Sequence, residues 1–186
     1  HVRSRRQRQM CIRDSHTAAR AARLRRDGVD IKVLLDTVAQ AQILGEAGRA
    51  AGVSPSAFIE IDCDGHRGGL RVDDPKLLDV ASAMKVAGVT LAGVLTHAGE
   101  SYALDTPQAL EAAAENERAV AVDAATRLRA AGHDCPIVSV GSTPTAHFAQ
   151  ALDGVTEMRA GVYMFFDLVM HGCLLYTSPS PRDRTR

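Results

Sequence analysis

The residues able to do chemistry fall into five short runs, each following an apolar stretch. Asp36-Thr37 follows IKVLLD. Cys63-Asp64-Gly65-His66-Arg67-Gly68-Gly69 follows FIEID, and His97-Ala98-Gly99-Glu100-Ser101-Tyr102 follows LAGVLT. Gly141-Ser142-Thr143-Pro144-Thr145 follows PIVSV, and Arg159-Ala160-Gly161-Val162-Tyr163 follows TEM. The fourth run is the sharpest signal. Gly141 permits a tight backbone turn. Pro144 suits the first position of a helix with Thr143 as its cap. Free N–H groups at such a helix start attract phosphate. An ordinary capped helix without a ligand fits this loop equally well, and Gly161, a second site of close backbone approach, tilts the reading toward phosphate.

Arg67 and Arg159 stand among glycines, where a guanidinium can meet an anion or a ring nitrogen or pair with a nearby aspartate. His97 and Tyr102 flank Gly99 and suit acid–base work; a structural role is the alternative for His97. Glu60 and Asp62 lie on an expected interior strand and need partners, for which Arg67 and Arg159 are candidates. His133 beside Gly132 reads as a turn residue. Between residues 16 and 172 the lysines are Lys32, Lys76 and Lys85. Lys32 opens its strand and the other two fall on a helix, so none is placed to form a Schiff base at the strand ends.

The elements that must position these runs alternate. Expected strands are 31–36, 58–64, 89–96, 136–140 and one beginning at 156–159. Expected helices are 17–27, 38–51 (capped by Thr37), 74–87 (Pro75 in its first turn), 107–131 and 144–152. Strand–helix alternation with short loops means a parallel sheet with crossover helices. No G-x-G-x-x-G follows the first strand, which removes the dinucleotide-binding fingerprint. A (β/α)8 barrel fits better and places function at the C-terminal ends of its strands. Such a barrel needs about 250 residues, so about five of eight strands are expected here and the chain reads as a fragment.

The chain has 186 residues, 46% of them hydrophobic, and zero formal charge. That balance conceals three parts. Residues 1–15 carry five arginines and one acid, and residues 173–186 carry three arginines and one acid. QMCIRDS and CLLYTSPSPRD resemble translated adaptor sequence, so both ends are read as artefactual tails and set aside. The body, 16–172, holds 14 basic and 20 acidic groups, which speaks against a basic nucleic-acid binder. No apolar run reaches about 18 residues, as a membrane span would need. Cys63 and Cys135 form no C-x-x-C, and a reducing, cytoplasmic setting is expected.

Taken together, FIEIDCDGHRGG, LAGVLTHAGESY, VSVGSTPTA and VTEMRAGVYMFFD resemble, in order, the strand ends of the fold-type III pyridoxal-phosphate enzymes. Within them the chain looks like the D-threonine aldolase and D-serine dehydratase group, with an alanine racemase N-terminal-domain-like barrel. The resemblance implies pyridoxal 5'-phosphate as cofactor, its phosphate held by Gly141, Ser142, Thr143, Gly161 and Tyr163. It puts Arg67 at the pyridine nitrogen, Arg159 being the rival, and Tyr102 beside the cofactor. It implies a lyase acting on small D-3-hydroxy amino acids, with aldol cleavage of D-threonine expected first. The alternatives are dehydration of D-serine, racemisation, and a non-catalytic cofactor-binding role. The Schiff-base lysine, and a C-terminal domain that carries a divalent metal and helps form a homodimer, are implied outside this chain, which is itself expected to be inactive. Glu100 stands where the group commonly has histidine, and Arg-Ala-Gly-Val-Tyr where it has Arg-Pro-Gly-Asn-Tyr.

Overall fold

A computed structural model describes residues 14–65 and 67–162. Five strands, β1 (Lys32–Leu35), β2 (Ser56–Ile61), β3 (Thr90–Thr96), β4 (Ile137–Val140) and β5 (Glu157–Met158), form one parallel sheet in the order of the chain. The helices α1 (Ser15–Arg26), α2 (Val38–Ala51), α3 (Lys76–Ala87), α4 (Pro107–Ala130) and α5 (Thr143–Phe148) alternate with them, and a 3-10 turn at Gly99–Ala103 follows β3. This is the expected α/β architecture, an arc of a (β/α) barrel with five strands.

The alternation of each strand sorts its side chains between two faces. Val33, Leu35, Ala57, Ile59, Ile61, Val94, Val138 and Val140 meet the helices in the main core. Leu34, Phe58, Ala92 and Leu95 form a small cluster on the opposite face, backed by Ile137. Leu44, Leu77, Met84, Leu110 and Leu128 close the helix side and are fully buried, each worth about 1.5–3 kcal/mol. Gly93 marks a register shift between β2 and β3. Its φ is +152°, and a Cβ there would lie 1.9 Å from the Ile137 carbonyl oxygen, so only glycine lets β3 and β4 approach this closely.

Helix caps account for most boundaries. Thr37 accepts from the Gln40 N–H while the Gln40 side chain accepts from the Thr37 N–H, a reciprocal capping box. Gly52 and Gly88 end α2 and α3 in the left-handed conformation. Three expectations are corrected. Strand β2 runs from 56 to 61 rather than 58 to 64, because the Asp62 carboxylate accepts from the N–H groups of Asp64 and Gly65 and turns the chain. Pro75 is the N-cap of α3 rather than a residue of its first turn. Helix α5 spans 143–148 rather than 144–152, and Ser142, not Thr143, caps it. No helix among the described residues is long and apolar enough to cross a membrane.

Candidate active site

The polar runs gather at the C-terminal edge of the sheet, around the peptide groups that leave β3 and β4. Ser142 and Thr145 form a capping box at the start of α5. The Ser142 N–H donates to Thr145 Oγ1 at 3.0 Å, and the Thr145 N–H to Ser142 Oγ at 3.3 Å. The Gly141 N–H is taken by the Glu117 carboxylate. Pro144 has no N–H. The start of α5 is therefore largely self-satisfied, against the expectation of several free N–H groups. The Thr143 N–H is the least committed, reaching only the Tyr102 hydroxyl oxygen at 3.4 Å. Thr143 Oγ1 accepts from the Val162 N–H at 3.1 Å, which brings the segment after β5 onto the same spot. Among the described residues no atom lies within 4 Å of where a Cβ on Gly161 beside it would stand.

Gly141 has φ +132°, and a Cβ there would sit 2.2 Å from the Arg159 carbonyl oxygen. The glycine thus serves close packing between the ends of β4 and β5. Its own carbonyl accepts from His97 Nδ1 at 3.0 Å and from Arg159 Nη2 at 3.3 Å. A carbonyl can only accept, so Nδ1 carries the proton and Nε2 of the neutral ring is left as a base. Burial holds the His97 pKa below its ordinary value, with the charges of Arg67 and Arg159 adding to the effect. The His97 and Tyr102 rings stack at 6.0 Å between centroids.

The two arginines are placed differently. Arg159, half-buried, spans three strands: its guanidinium donates to Ser139 Oγ on β4 at 2.6 Å and to the Thr96 carbonyl on β3 at 2.5 Å. It faces Glu117, Glu157 and Glu60 electrostatically, which supplies Glu60 with the cationic partner expected for it. Arg67 is exposed, its stem lying against Gly99. Glu100 is anchored through its backbone N–H to the Asp64 carboxylate at 2.9 Å. The Cys63 thiol is pushed up to about 12, mainly by burial. Lys32 pairs with Asp30 at the start of β1, at the opposite end of the sheet from the site. Tyr163 and His66 lie outside the described residues.

One residue of the site was not anticipated. Glu117 on α4 is 1% exposed. It accepts from the N–H groups of Ala98 at 2.8 Å and Gly141 at 3.1 Å, and from Thr145 Oγ1 at 2.7 Å. Burial raises its pKa, and these donors and Arg159 pull it back. A signal for it exists in the sequence. Leu110, Ala114, Glu117, Ala121, Ala124 and Leu128 form the buried stripe of α4, and a glutamate on an otherwise alanine and leucine stripe needs a polar partner.

The arrangement offers hydroxyl and N–H donors at one point, two guanidinium groups and a neutral imidazole beside it. Among the described residues no group of three or more side chains could hold a metal ion.

Comparison with known proteins bears on the family and the fold. The chain is 58% identical over 156 residues to D-threo-3-hydroxyaspartate dehydratase of Delftia sp. (strain HT23), covering 83% of this chain and 41% of that protein. The solved structure of the Delftia dehydratase superposes with a TM-score of 0.83 at 56% identity, over 86% of this chain and 42% of that one. D-threonine aldolase from Filomicrobium marinum superposes with a TM-score of 0.78 at 25% identity, over 87% of this chain and 43% of the other. The chain thus spans about two fifths of the length of these relatives. Residues 2–169 match the alanine racemase N-terminal domain, and the chain belongs to that family.

Proposed function

We propose that this chain is the cofactor-binding barrel portion of a cytoplasmic pyridoxal-phosphate-dependent lyase that acts on D-3-hydroxy amino acids. The observation that carries the reading is the meeting of Thr143, Tyr102 and the Gly161–Val162 segment beside His97 and the two arginines. Hydroxyl and N–H donors within a cationic surround are what a phosphate ester requires. Thr143 and Tyr102 hold the ester, while Gly141 and Ser142 fix the shape of the loop that presents Thr143. When bound, the cofactor supplies an electron sink for bonds at the substrate Cα.

The remaining chemistry belongs to the chain's own side chains. Arg67, its stem against Gly99 and its charge felt by His97, is the guanidinium that meets the pyridine nitrogen in this reading, since Arg159 is held by Ser139 and the Thr96 carbonyl. Neutral His97 accepts a proton at Nε2, its orientation fixed by the Gly141 carbonyl. Dehydration is favoured over aldol cleavage, because the likeness to the dehydratase is far stronger than that to the aldolase. A divalent metal and a homodimer belong to the whole protein in this proposal.

The test is a titration of the 186-residue chain with pyridoxal 5'-phosphate, with inorganic phosphate as competitor. Saturable binding weakened by phosphate is expected, as is a change in the cofactor's absorption on adding D-threo-3-hydroxyaspartate but not its L isomer. Absence of saturable binding would overturn the proposal. Among residues 14–162 no lysine reaches the site, so these residues support binding without turnover. Keto acid and ammonia formed faster than with the cofactor alone would refute that part.

A further inference from the structure

We infer that Glu117, as a buried carboxylate, is a positioning residue that locks the ends of β3 and β4 together and thereby sets both the His97 imidazole and the Ser142–Thr143 loop. The inference rests on the proposed role of that loop and extends it to a residue in no position to touch a ligand. Oε1 accepts from two main-chain N–H groups, those of Ala98 and Gly141, which leave adjacent strands. Oε2 accepts from Thr145 Oγ1. All three partners donate, a set that a carboxylate satisfies and an amide cannot.

The consequences run outward along named bonds. With the Thr145 proton given to Glu117 and the Ser101 proton to the Ala98 carbonyl at 2.7 Å, the Ser142 hydroxyl proton is left to bridge to one of these neighbours, at 2.7 Å from Ser101 Oγ and 2.9 Å from Thr145 Oγ1. Gly141 is gripped through both of its flanking peptide groups, its N–H by Glu117 and its carbonyl by His97 and Arg159. Thus one carboxylate fixes the orientation of the imidazole and of the capping box at once. Arg159 is the cation that faces it, and the Cys63 thiol also senses its charge.

The test compares Glu117→Gln with Glu117→Met and with Glu115→Gln, a control on the exposed face of α4 where Glu115 pairs with Arg118. The first readout is the 15N and 1H spectrum of the His97 ring, which needs no cofactor. In the wild type Nδ1 is expected to carry the proton. In E117Q and E117M the tautomer mixture changes and the ring titrates lower, because Arg159 loses a compensating charge and the Gly141 carbonyl is released. The second readout is the affinity for pyridoxal 5'-phosphate, expected to fall about tenfold or more in both variants and to stay unchanged in E115Q. If the variants fold and His97 keeps its wild-type tautomer and titration, the inference is overturned, whatever the cofactor does. If His97 responds but even the wild type binds no cofactor, the proposed function fails and the positioning role stands. Should both variants fail to fold, the 13C shift of the Glu117 carboxyl in the wild type decides: an ionised group at neutral pH supports the inference, and a protonated one refutes it.

Discussion

Gly141→Ala separates the cost of an added methyl from the cost of an unusual backbone. At φ +132° alanine enters a region that essentially only glycine occupies, at about 1–3 kcal/mol. Its Cβ would also lie 2.2 Å from the oxygen, 2.7 Å from the nitrogen and 2.9 Å from the carbonyl carbon of Arg159. All three are main-chain atoms held in the sheet by the Arg159 N–H bond to the Val140 carbonyl, so no rotamer change relieves the contact. Overpacking of this kind adds about 1–3 kcal/mol, for a total of about 2–6 kcal/mol. Gly132→Ala is the matched control: φ is +82° and nothing lies within 4 Å of the added Cβ, so backbone strain alone applies, about 1–2 kcal/mol. Urea unfolding followed by circular dichroism measures both, with the slope expected to stay constant and the midpoint to fall further for G141A. Pyridoxal 5'-phosphate titration of the folded proteins should show weakened binding in G141A alone. A G141A midpoint at or above that of G132A would refute the clash argument. Unchanged cofactor affinity in a destabilised G141A would refute the link between this peptide and the site.

Three further outcomes follow from the same geometry. Because His97 has a depressed pKa when folded, the unfolded chain takes up its proton first as pH falls. The stability that His97 contributes is therefore full above about 6.5 and declines as pH drops below that value; in His97→Gln, urea midpoints between pH 5 and 7 should lose that component of their slope. Arg159→Met leaves Glu117, Glu157 and Glu60 without their shared cation and removes the donor to Ser139 and Thr96, and a loss of about 2–3 kcal/mol by urea unfolding is expected after allowance for partial exposure. With its thiol pushed up to about 12, Cys63 should resist iodoacetamide at pH 8 in the folded chain, and peptide mapping should find it alkylated only after denaturation.

The legible part of this protein is the part written in short-range patterns. Thr37 as the cap of a helix over 38–51 matches α2 as observed, and the apolar runs place five strands. What escaped depends on three-dimensional distance. The end of β2 is set by the Asp62 side chain folding back on the next two peptides, a competition that alternation alone does not reveal. The shift of the cap from Thr143 to Ser142 turns on which hydroxyl reaches the Thr145 N–H. Glu117 lies 19 residues from Ala98 and 24 from Gly141, and only the packing of α4 beneath the strand ends brings them together. Arg67 and Arg159 looked interchangeable as text, yet one spans three strands and the other lies exposed at the rim.

The order of the strands in the sheet is their order in the chain, with each described strand paired to its sequence neighbours. Among these five strands, synthesis from the N-terminus therefore never requires one to wait for a distant partner. When β2 emerges, β1 is already there to receive it, and β3, β4 and β5 then add in turn, each after one helix. Loop closure at every step spans a single strand–helix unit, so the entropic barrier is met in small instalments. The part of the site described here, by contrast, draws on the ends of β3, β4 and β5 together, and so it is assembled only when the last of these strands has docked.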